Sequence, residues 1–307
     1  MTDAITVTGL RKRFGHTTAL DGLDLTVREG EVHGFLGPNG SGKTTTLRIL
    51  LGLLRADDGH ASVLGRDPWA ESTELHRHLA YVPGDVVLWP SLSGGETIDF
   101  LGRLRGGLDE ERRRRLVARF ELDETKKGKA YSTGNRQKVA LVAAFASEAP
   151  VLVLDEPTAG LDPLMEQVFQ EELESLRERG RTVLLSSHIL TEVERACDRV
   201  SIVRSGRVVD SGSLAELRHL TRTTVHAEVT DAPTADEVRS WPGTHDVVVD
   251  GTSVRLTVDP EGLGEVVSAL AYRRVTALTS QPPTLEELFL ARYRDAPAPA
   301  ESAEQPA

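Results

Sequence analysis

The chain has 307 residues, of which 39% are hydrophobic and 27% charged, and its formal net charge is −11. This composition is typical of a globular protein with room for one large domain and one smaller domain. The acidic balance argues against nucleic acid as a partner, because a nucleic-acid binder needs a basic face that neutralises phosphates. The single cysteine excludes a disulfide framework or a thiolate metal site, and it fits a reducing cytosol.

The sequence has no segment that resembles a membrane span or a signal peptide. The best apolar run, from Val139 to Ala146, is far shorter than the roughly 18 residues of a candidate spanning helix. The N-terminal residues lack the basic and apolar regions of a signal peptide. We therefore expect the protein in the cytoplasm. If it works at a membrane, another polypeptide must hold it there.

The first predicted elements lead to a glycine-rich loop. Strands are predicted over residues 4–8 and 23–27, which alternate apolar and polar residues. The apolar run Val32–Leu36 then feeds the loop, and a helical pattern follows from Thr46. The loop fits GxxxxGK[ST] at every fixed position, in the strand–loop–helix context that a P-loop requires. Its members are Gly37, Pro38, Asn39, Gly40, Ser41, Gly42, Lys43, Thr44 and Thr45.

A P-loop binds the phosphates of a nucleotide. Its glycines let the backbone turn N–H groups inward, and the helix dipole adds partial positive charge at the same point. We expect Lys43 to reach the β- and γ-phosphates, and Thr44 to place its hydroxyl on Mg²⁺. The motif predicts a nucleotide site but not its use, since kinases, GTPases, helicases and transport motors all carry one.

Further along the chain, two apolar strands end in polar side chains. The strand Val151–Leu154 is followed directly by Asp155 and Glu156. Carboxylates at the carboxyl end of a parallel strand lie in the crevice where ligands bind. Asp155 is therefore predicted to hold Mg²⁺ through its water shell, and Glu156 to activate the attacking water as general base. His188 follows the next apolar strand, and we expect it at the same sheet edge in contact with the γ-phosphate.

A change of composition near residues 212–222 predicts a domain boundary. Beyond it the predicted elements follow the order β-α-β-β-α-β, the ferredoxin-like pattern, with Asp250-Gly251 as a hairpin turn. A last helix is predicted over Leu285–Tyr293, and the tail rich in Pro, Ala and acid is predicted to be disordered. The expected divisions are a first domain at 1–215 with a helical part at about 86–147, a second domain at 216–294 and the tail at 295–307.

The order and spacing of these motifs resemble the nucleotide-binding subunit of an ATP-binding-cassette (ABC) transporter. The resemblance implies a P-loop α/β core with an antiparallel β subdomain and a helical subdomain. It also implies ATP and Mg²⁺ as ligands and a second copy of the chain, so that two domains sandwich two ATP head-to-tail. The matching segments are Phe14 as the aromatic that stacks on adenine, residues 37–45 as Walker A, Val151–Glu156 as Walker B, Gly160-Leu161-Asp162 as the D-loop and His188 as the switch histidine.

Two segments resemble the family's signature, LSGGQ. Leu92–Glu96 matches it almost letter for letter. A working signature, however, must open the helix that runs into Walker B, so that its serine and glycine meet the γ-phosphate across a dimer. Ser132 and Gly134 satisfy this requirement, because one helix and one strand separate them from Asp155. We expect the rejected segment to be a loop that caps a helix starting near Thr97.

A departure from the family pattern follows the strand that ends at Pro83. The family usually has Gln or Glu at the next position, where the side chain touches Mg²⁺ and the attacking water and links them to the membrane partner. This chain has Gly84 there. Either Asp85 takes over the role through water, or no side chain does and hydrolysis is slower or differently coupled. Both alternatives stay open on the sequence.

Three other features have simpler interpretations. Leu88 and Trp89 are apolar residues in a polar stretch, and in the family this region receives a helix of the membrane subunit, so we predict a docking role. The basic run Arg112–Arg115 is predicted to be a solvated helix face. Cys197 is predicted to be a small buried core residue.

The resemblance implies an ATPase motor that drives a separately encoded transmembrane permease from the cytoplasmic side of the cell membrane. The single cassette, the C-terminal extension and the segment Pro283–Phe289 resemble the daunorubicin-resistance branch, which implies export of drugs or antibiotics. The alternative is a soluble ABC ATPase without transport, such as a ribosome-associated factor, but those resemble two cassettes in one chain. A P-loop kinase would need an Arg-rich lid and would not need Ser132, Gly134 and His188.

Overall fold

The computed structural model describes residues 2–219 and 222–281. The chain divides into two compact units, residues 1–213 and residues 214–307, which are described separately. The helix expected over Leu285–Tyr293 and the tail at 295–307 lie outside the described residues.

The first unit contains two sheets. Its described strands are β1 (Asp3–Phe14), β2 (Thr17–Arg28), β3 (Val32–Leu36), β4 (Asp58–Val63), β5 (Leu79–Val82), β6 (Val151–Asp155), β7 (Thr182–Ser187), β8 (Arg199–Arg204) and β9 (Arg207–Ser213). β5, β6, β7, β3 and β8 run parallel in that order, and β9 adds antiparallel to β8. β2, β1 and β4 form an antiparallel sheet. Every residue of β3, β6 and β7 is buried, as expected for a parallel sheet covered on both faces.

The helices of the first unit fall between these strands. They are α1 (Lys43–Leu50), α2 (Ser72–Leu75), α3 (Gly94–Leu104), α4 (Glu110–Arg119), α5 (Thr133–Phe145), α6 (Pro163–Glu178) and α7 (Leu190–Ala196). The connection from β5 to β6 contains α3, α4 and α5, which form the helical subdomain. Together with the antiparallel sheet and the P-loop core, this arrangement confirms the predicted fold class.

A row of three phenylalanines joins the helical subdomain to the core. Phe120 directly follows α4, Phe145 ends α5, and Phe169 lies in α6; all three are fully buried. The ring centroids of Phe120 and Phe145 are 6.4 Å apart, and those of Phe145 and Phe169 are 5.8 Å apart. Burying each ring stabilises the fold by about 1.5–3 kcal/mol, so this row is a main connection between the two parts.

The start of α3 and the environment of the arginine run differ from the predictions. α3 begins at Gly94, three residues earlier than expected, because Ser93 and Glu96 form a reciprocal capping box. The prediction of a solvated face was wrong for Arg112 and Arg113. Arg112 is 4% exposed on the inward face of α4, and the side chain of Arg113 is paired with acidic residues and 12% exposed.

The second unit is a four-stranded antiparallel sheet with helices. Its described elements are α8 (Leu214–His219), β10 (Thr223–Val229), α9 (Ala235–Arg239), β11 (Thr244–Asp250), β12 (Ser253–Val258), α10 (Leu263–Tyr272) and β13 (Val275–Gln281). The spatial order is β11-β12-β10-β13, which confirms the predicted ferredoxin-like pattern. Within the described ranges of both units, no helix is long and apolar enough to cross a bilayer.

Candidate functional site

The glycine-rich loop lies between β3 and α1, and its backbone wraps closely around the start of the helix. Gly42 precedes α1 with a φ of 112°, a conformation that L side chains rarely adopt. A Cβ at Gly37 would lie 2.4 Å from the carbonyl oxygen of Val203 and 2.7 Å from the hydroxyl of Ser41. No larger residue fits at position 37, so the packing requires glycine at this fixed position of the motif.

Lys43, the first residue of α1, bends back over this loop. Its Nζ donates to the carbonyl oxygen of Gly37 at 2.5 Å and to that of Pro38 at 3.3 Å. The same Nζ lies 3.5 Å from Oε1 of Glu156, and the side chain is only 6% exposed. A positive charge is therefore held in the concave side of the loop, where a P-loop receives phosphates.

Asp155 and Glu156 stand at the end of β6, as their position in the sequence predicts. The hydroxyl of Ser186 donates to Oδ1 of Asp155 at 2.5 Å and fixes this buried carboxylate. Glu156 has a φ of 48°, in the left-handed region, and its backbone N–H donates to the carbonyl oxygen of Ser186 at 3.1 Å. A residue other than glycine in this conformation costs about 1–2 kcal/mol, a strain that is common at functional sites.

The carboxylate of Glu156 meets two other predicted site residues. One oxygen faces Lys43, and the other is hydrogen-bonded to Nδ1 of His188. The side chain of His188 is half exposed, whereas that of Glu156 is 24% exposed. The carboxylate of Glu156, the ring of His188 and the ammonium group of Lys43 therefore converge at one edge of the parallel sheet, beside the loop that receives phosphates.

Lys43, Asp155 and Glu156 line a cleft of about 630 Å³, a size suited to a nucleotide, and His188 reaches it through its contact with Glu156. Phe14 lines its rim with a half-exposed ring, and Nζ of Lys12 lies 5.6 Å from the ring centroid. An exposed aromatic ring at this position is available to stack on a base. Burial, with the charge of Asp155, raises the pKa of Tyr81 in the same cleft to about 12, so this phenol stays neutral.

The donor set of the cleft fits Mg²⁺. The hydroxyl of Thr44 and the carboxylates of Asp85, Asp155 and Glu156 are all on residues that line it, and oxygen donors suit this hard cation. In the part of the chain that is described, no group of three or more His, Cys, Asp or Glu could hold a metal by itself. The cleft therefore suits an ion that is shared between one or two protein ligands and the phosphates of a nucleotide.

Gly84 and Asp85 lie next to this cluster. A Cβ at Gly84 would be 3.2 Å from the carbonyl oxygen of Asp155 and 3.7 Å from Cβ of Glu156. The position that the family fills with Gln or Glu thus borders the Walker B carboxylates, and here it has no side chain. Asp85 is exposed and lines the cleft one residue further on.

The two serines of the competing signature segments both cap helices. Ser132 begins α5, and its hydroxyl oxygen accepts the backbone N–H of Asn135 at 3.3 Å. Ser93 begins α3 in the same manner. The neighbours differ, however: a Cβ at Gly94 would lie 2.2 Å from the hydroxyl of Tyr131, so this glycine is required by packing inside the helical subdomain. Ser132 is exposed at the surface.

Gly134 and the D-loop contact each other away from the cleft. A Cβ at Gly134 would lie 2.4 Å from the carbonyl oxygen of Gly160. Asp162 caps α6, and its carboxylate accepts the backbone N–H groups of Leu164 and Met165 at 3.1 and 3.0 Å. The structure therefore brings Lys43, Asp155, Glu156 and His188 together, whereas Ser132, Gly134 and Asp162 are not among the residues lining the cleft of their own chain.

The apolar surface after β5 differs from the one predicted. Leu88 is only 8% exposed and lies in the interior, so its predicted place in an exposed docking surface was wrong. Exposed apolar side chains in this region include Val87 at 81%, Trp89 at 46% and Phe100 at 41%. The rings of Trp89 and Phe100 meet edge to face with centroids 5.1 Å apart. We call these three residues the apolar patch.

Ser186, which orients Asp155, is a site residue that the sequence motifs do not include. The two residues are direct partners in the parallel register of β6 and β7. The signal was present, since a serine at the end of a buried strand is unusual, but the register that sets it opposite Asp155 is a property of the folded sheet.

Comparison with known proteins agrees with this site. The ABC transporter family matches residues 20–159. Over 303 residues, the chain is 39% identical to the daunorubicin resistance ATP-binding protein DrrA3 of Streptomyces coeruleorubidus, with 94% of this chain and 95% of that protein covered. It is 30% identical to the linearmycin resistance ATP-binding protein LnrL of Bacillus subtilis, with 92% and 95% covered.

Solved structures give the same result for the fold. An ATP-binding subunit of an ABC transporter, 31% identical, superposes with a TM-score of 0.66 over 71% of this chain and 92% of that one. A dimeric ATP-binding cassette in a post-hydrolysis state, bound to ADP and phosphate, is 25% identical and gives a TM-score of 0.60, covering 68% and 98%. The chain belongs to the ATP-binding proteins of ABC transporters and is an ATPase of that family.

Proposed function

We propose that this ATPase is the motor subunit of an exporter of drugs or antibiotics. It works at the cytoplasmic face of the cell membrane, bound to a separately encoded transmembrane permease. Similarity over nearly the full length to proteins named for daunorubicin and linearmycin resistance supports this choice. We also propose residues 1–215, with the helical part at about 86–147, and 216–294 as the two domains of the chain.

The contact of Glu156 with both Lys43 and His188 is the observation that carries the proposed chemistry. Lys43 leaves the carboxylate and binds the β- and γ-phosphates, which carry more negative charge than Glu156. Glu156 accepts a proton from the attacking water, and His188 donates a hydrogen bond to the γ-phosphate. Mg²⁺, held by Thr44 and Asp155, supplies charge neutralisation on the phosphates when it is bound.

The signature residues act in this proposal on ATP that is bound by a second copy of the chain. Ser132 and Gly134 stand at the N-terminus of α5, and they do not line the cleft of their own chain. A helix N-terminus with an exposed serine hydroxyl suits a phosphate. Gly134 touches Gly160 of the D-loop, which also carries Asp162, so both segments belong to one dimer surface.

The apolar patch is the proposed contact with the permease. Val87, Trp89 and Phe100 are exposed apolar side chains that follow closely on the cleft residues Gly84 and Asp85. Aromatic side chains at a surface are typical of protein contacts. Val87 and Trp89 share one loop with Gly84 and Asp85, and Trp89 contacts Phe100 of α3, so closure around ATP can move the patch.

Glu156→Gln tests the roles at the cleft. The amide cannot accept a proton, so we expect ATP turnover to fall by at least about 100-fold while ATP binding persists. With ATP and Mg²⁺, the variant should run as a dimer in size-exclusion chromatography with light scattering, and as a monomer without ATP. Glu166→Gln is the matched control and should turn over like the unmodified protein. Full turnover by Glu156→Gln would refute the assignment of the general base.

A further inference from the structure

Glu192, in the first turn of α7, connects the two segments that carry Glu156 and His188. Its Oε1 accepts a hydrogen bond from the hydroxyl of Thr158 at 2.8 Å, and its Oε2 accepts one from the hydroxyl of Ser187 at 3.0 Å. Thr158 comes two residues after Glu156, and Ser187 comes directly before His188. One carboxylate therefore holds the two turns whose side chains meet at the cleft.

The helix that carries Glu192 is itself fixed against the strand that leads to the P-loop. A Cβ at Gly34 in β3 would lie 2.6 Å from Cγ1 of Val193 and 3.1 Å from Sγ of Cys197, so α7 packs directly on the backbone of the strand. The carbonyl oxygen of Ser187 also accepts the backbone N–H of Gly37 at 3.3 Å. Glu192 thus projects from a helix that packs closely on β3.

The surroundings of Glu192 disfavour its charge. Burial raises the pKa of Glu192, the hydrogen bonds from Thr158 and Ser187 act in the opposite direction, and the charges of Glu166 and Glu156 raise it further. An acid that only complemented the dipole of α7 would be better placed in solvent. Its two hydrogen bonds are the feature that accounts for a carboxylate at this position.

We propose that Glu192 is a positioning residue for ATP hydrolysis, which sets the approach of Glu156 to His188 by holding Thr158 and Ser187. This inference rests on the proposed roles of Glu156 and His188. Glu192 is not among the residues that line the cleft. Its loss should therefore impair the chemical step and spare the binding of ATP.

The test compares kcat and KM for ATP in Glu192→Ala and Glu192→Gln. We expect the alanine variant to lose at least about tenfold in kcat, because a small misplacement of reacting groups is costly, with KM within roughly two-fold. The glutamine variant should recover much of kcat, since its amide offers an acceptor and a donor to hydroxyls that can reorient. Glu166→Ala, in the same groove beside α7, is the matched control and should keep its kcat.

Double variants test whether the hydrogen bonds from Thr158 and Ser187 to Glu192 act as one network. Thr158→Val and Ser187→Ala should each lower kcat, and neither should lower it further once Glu192 is alanine, because contacts in one network are not additive. Three results would each refute the proposal. The first is a kcat of Glu192→Ala within roughly two-fold of the unmodified protein, and the second is a rise in KM as large as the fall in kcat. The third is a double variant whose loss of kcat is the product of the two single losses. If Glu192→Ala does not fold, Glu192→Gln combined with Thr158→Val carries the same test.

Glu156→Gln measured in parallel separates the two proposals. If it keeps its turnover, the assigned roles at the cleft fail, and this inference fails with them. If it loses turnover while Glu192→Ala does not, only the positioning role of Glu192 is wrong.

Discussion

Glu156 shows how one residue can be prepared for chemistry by its backbone. Its left-handed φ of 48° turns the side chain out of line with β6, and the carboxylate then lies between Lys43 and His188. The backbone N–H remains satisfied by Ser186, so the strain is confined to the torsion angles. The backbone conformation that directs this side chain toward the cleft is set before a nucleotide arrives, which reduces the reorganisation that catalysis requires.

Asp85→Ala tests whether Asp85 replaces the side chain that is missing at Gly84. Asp85 lines the cleft beside the Walker B carboxylates, so we expect its removal to lower kcat for ATP by about tenfold in the assembled transporter. Asp58→Ala, which removes an exposed carboxylate from β4, is the control and should have no effect. Unchanged ATPase activity in Asp85→Ala would mean that no side chain fills the missing role.

The motif residues were predictable because their spacing alone implies the contacts. A strand, a glycine loop and a helix place Lys43, and two apolar strands place Asp155 and His188 at the same sheet edge. Ser186 and Glu192 were not found in this way. Their partners are set by strand register and helix packing, which the sequence of one chain does not specify.

Among the helices, α3 and α5 begin with similar sequences but lie in different surroundings. Gly94 is buried against Tyr131 in the helical subdomain and Ser93 is half-buried, whereas Ser132 is exposed at the start of α5. In the sequence, Ser132 is already favoured because one helix and one strand separate it from Walker B, whereas Ser93 lies much further away. The structure shows that Gly94, which makes Leu92–Glu96 resemble a signature, is required by its packing against Tyr131.

Ser132→Ala and Ser93→Ala form a matched pair of variants. Both remove a helix cap, which costs about 1 kcal/mol of unfolding free energy in each case. We expect only Ser132→Ala to lower ATP turnover, by about tenfold or more, because its hydroxyl is proposed to meet the γ-phosphate. Steady-state ATPase assays with urea denaturation as the stability measurement separate the two effects. Loss of turnover in Ser93→Ala alone would show that the wrong segment was assigned.

The contact between α4 and α6 contains a buried carboxylate that pairs with arginines of α4. Glu172 on α6 is fully buried and hydrogen-bonded to Arg119, and it lies 3.6 Å from Arg115. A run of charged residues normally predicts a solvent-exposed helix face. That prediction was wrong for part of this run, because burial follows the helical period. Arg112, Leu116 and Phe120 share that buried stripe.

Glu172→Ala should lower the free energy of unfolding by about 1–3 kcal/mol, because it removes a hydrogen-bond partner of Arg119 and the negative charge near the buried Arg112. Glu171→Ala is the control. Glu171 also pairs with Arg119, but its side chain is 48% exposed, so its loss should cost no more than about 1 kcal/mol. Urea denaturation followed by circular dichroism measures both. Equal, small losses in the two variants would mean that the buried pair does not stabilise the contact between α4 and α6.

For the molecule as a whole, the order of elements was predictable in both units. In the second unit, alternating Val225, Ala227 and Val229 bury one face of β10, and this period of two is visible in the sequence. The pattern also implied the ferredoxin-like strand order. The matches that extend along nearly the whole chain indicate that this second unit is shared with the resistance ATPases named above.

The proposed coupling of this ATPase to a membrane permease can be tested by one purification. Tagged Glu156→Gln would be expressed in the native cell and purified from detergent-solubilised membranes with ATP and Mg²⁺. We predict a polytopic membrane protein in fixed stoichiometry with the ATPase, which is lost when Trp89→Asp is added to break the apolar patch. Recovery of ribosomes or soluble complexes without any membrane protein would contradict the claim and favour an ABC ATPase that does not transport.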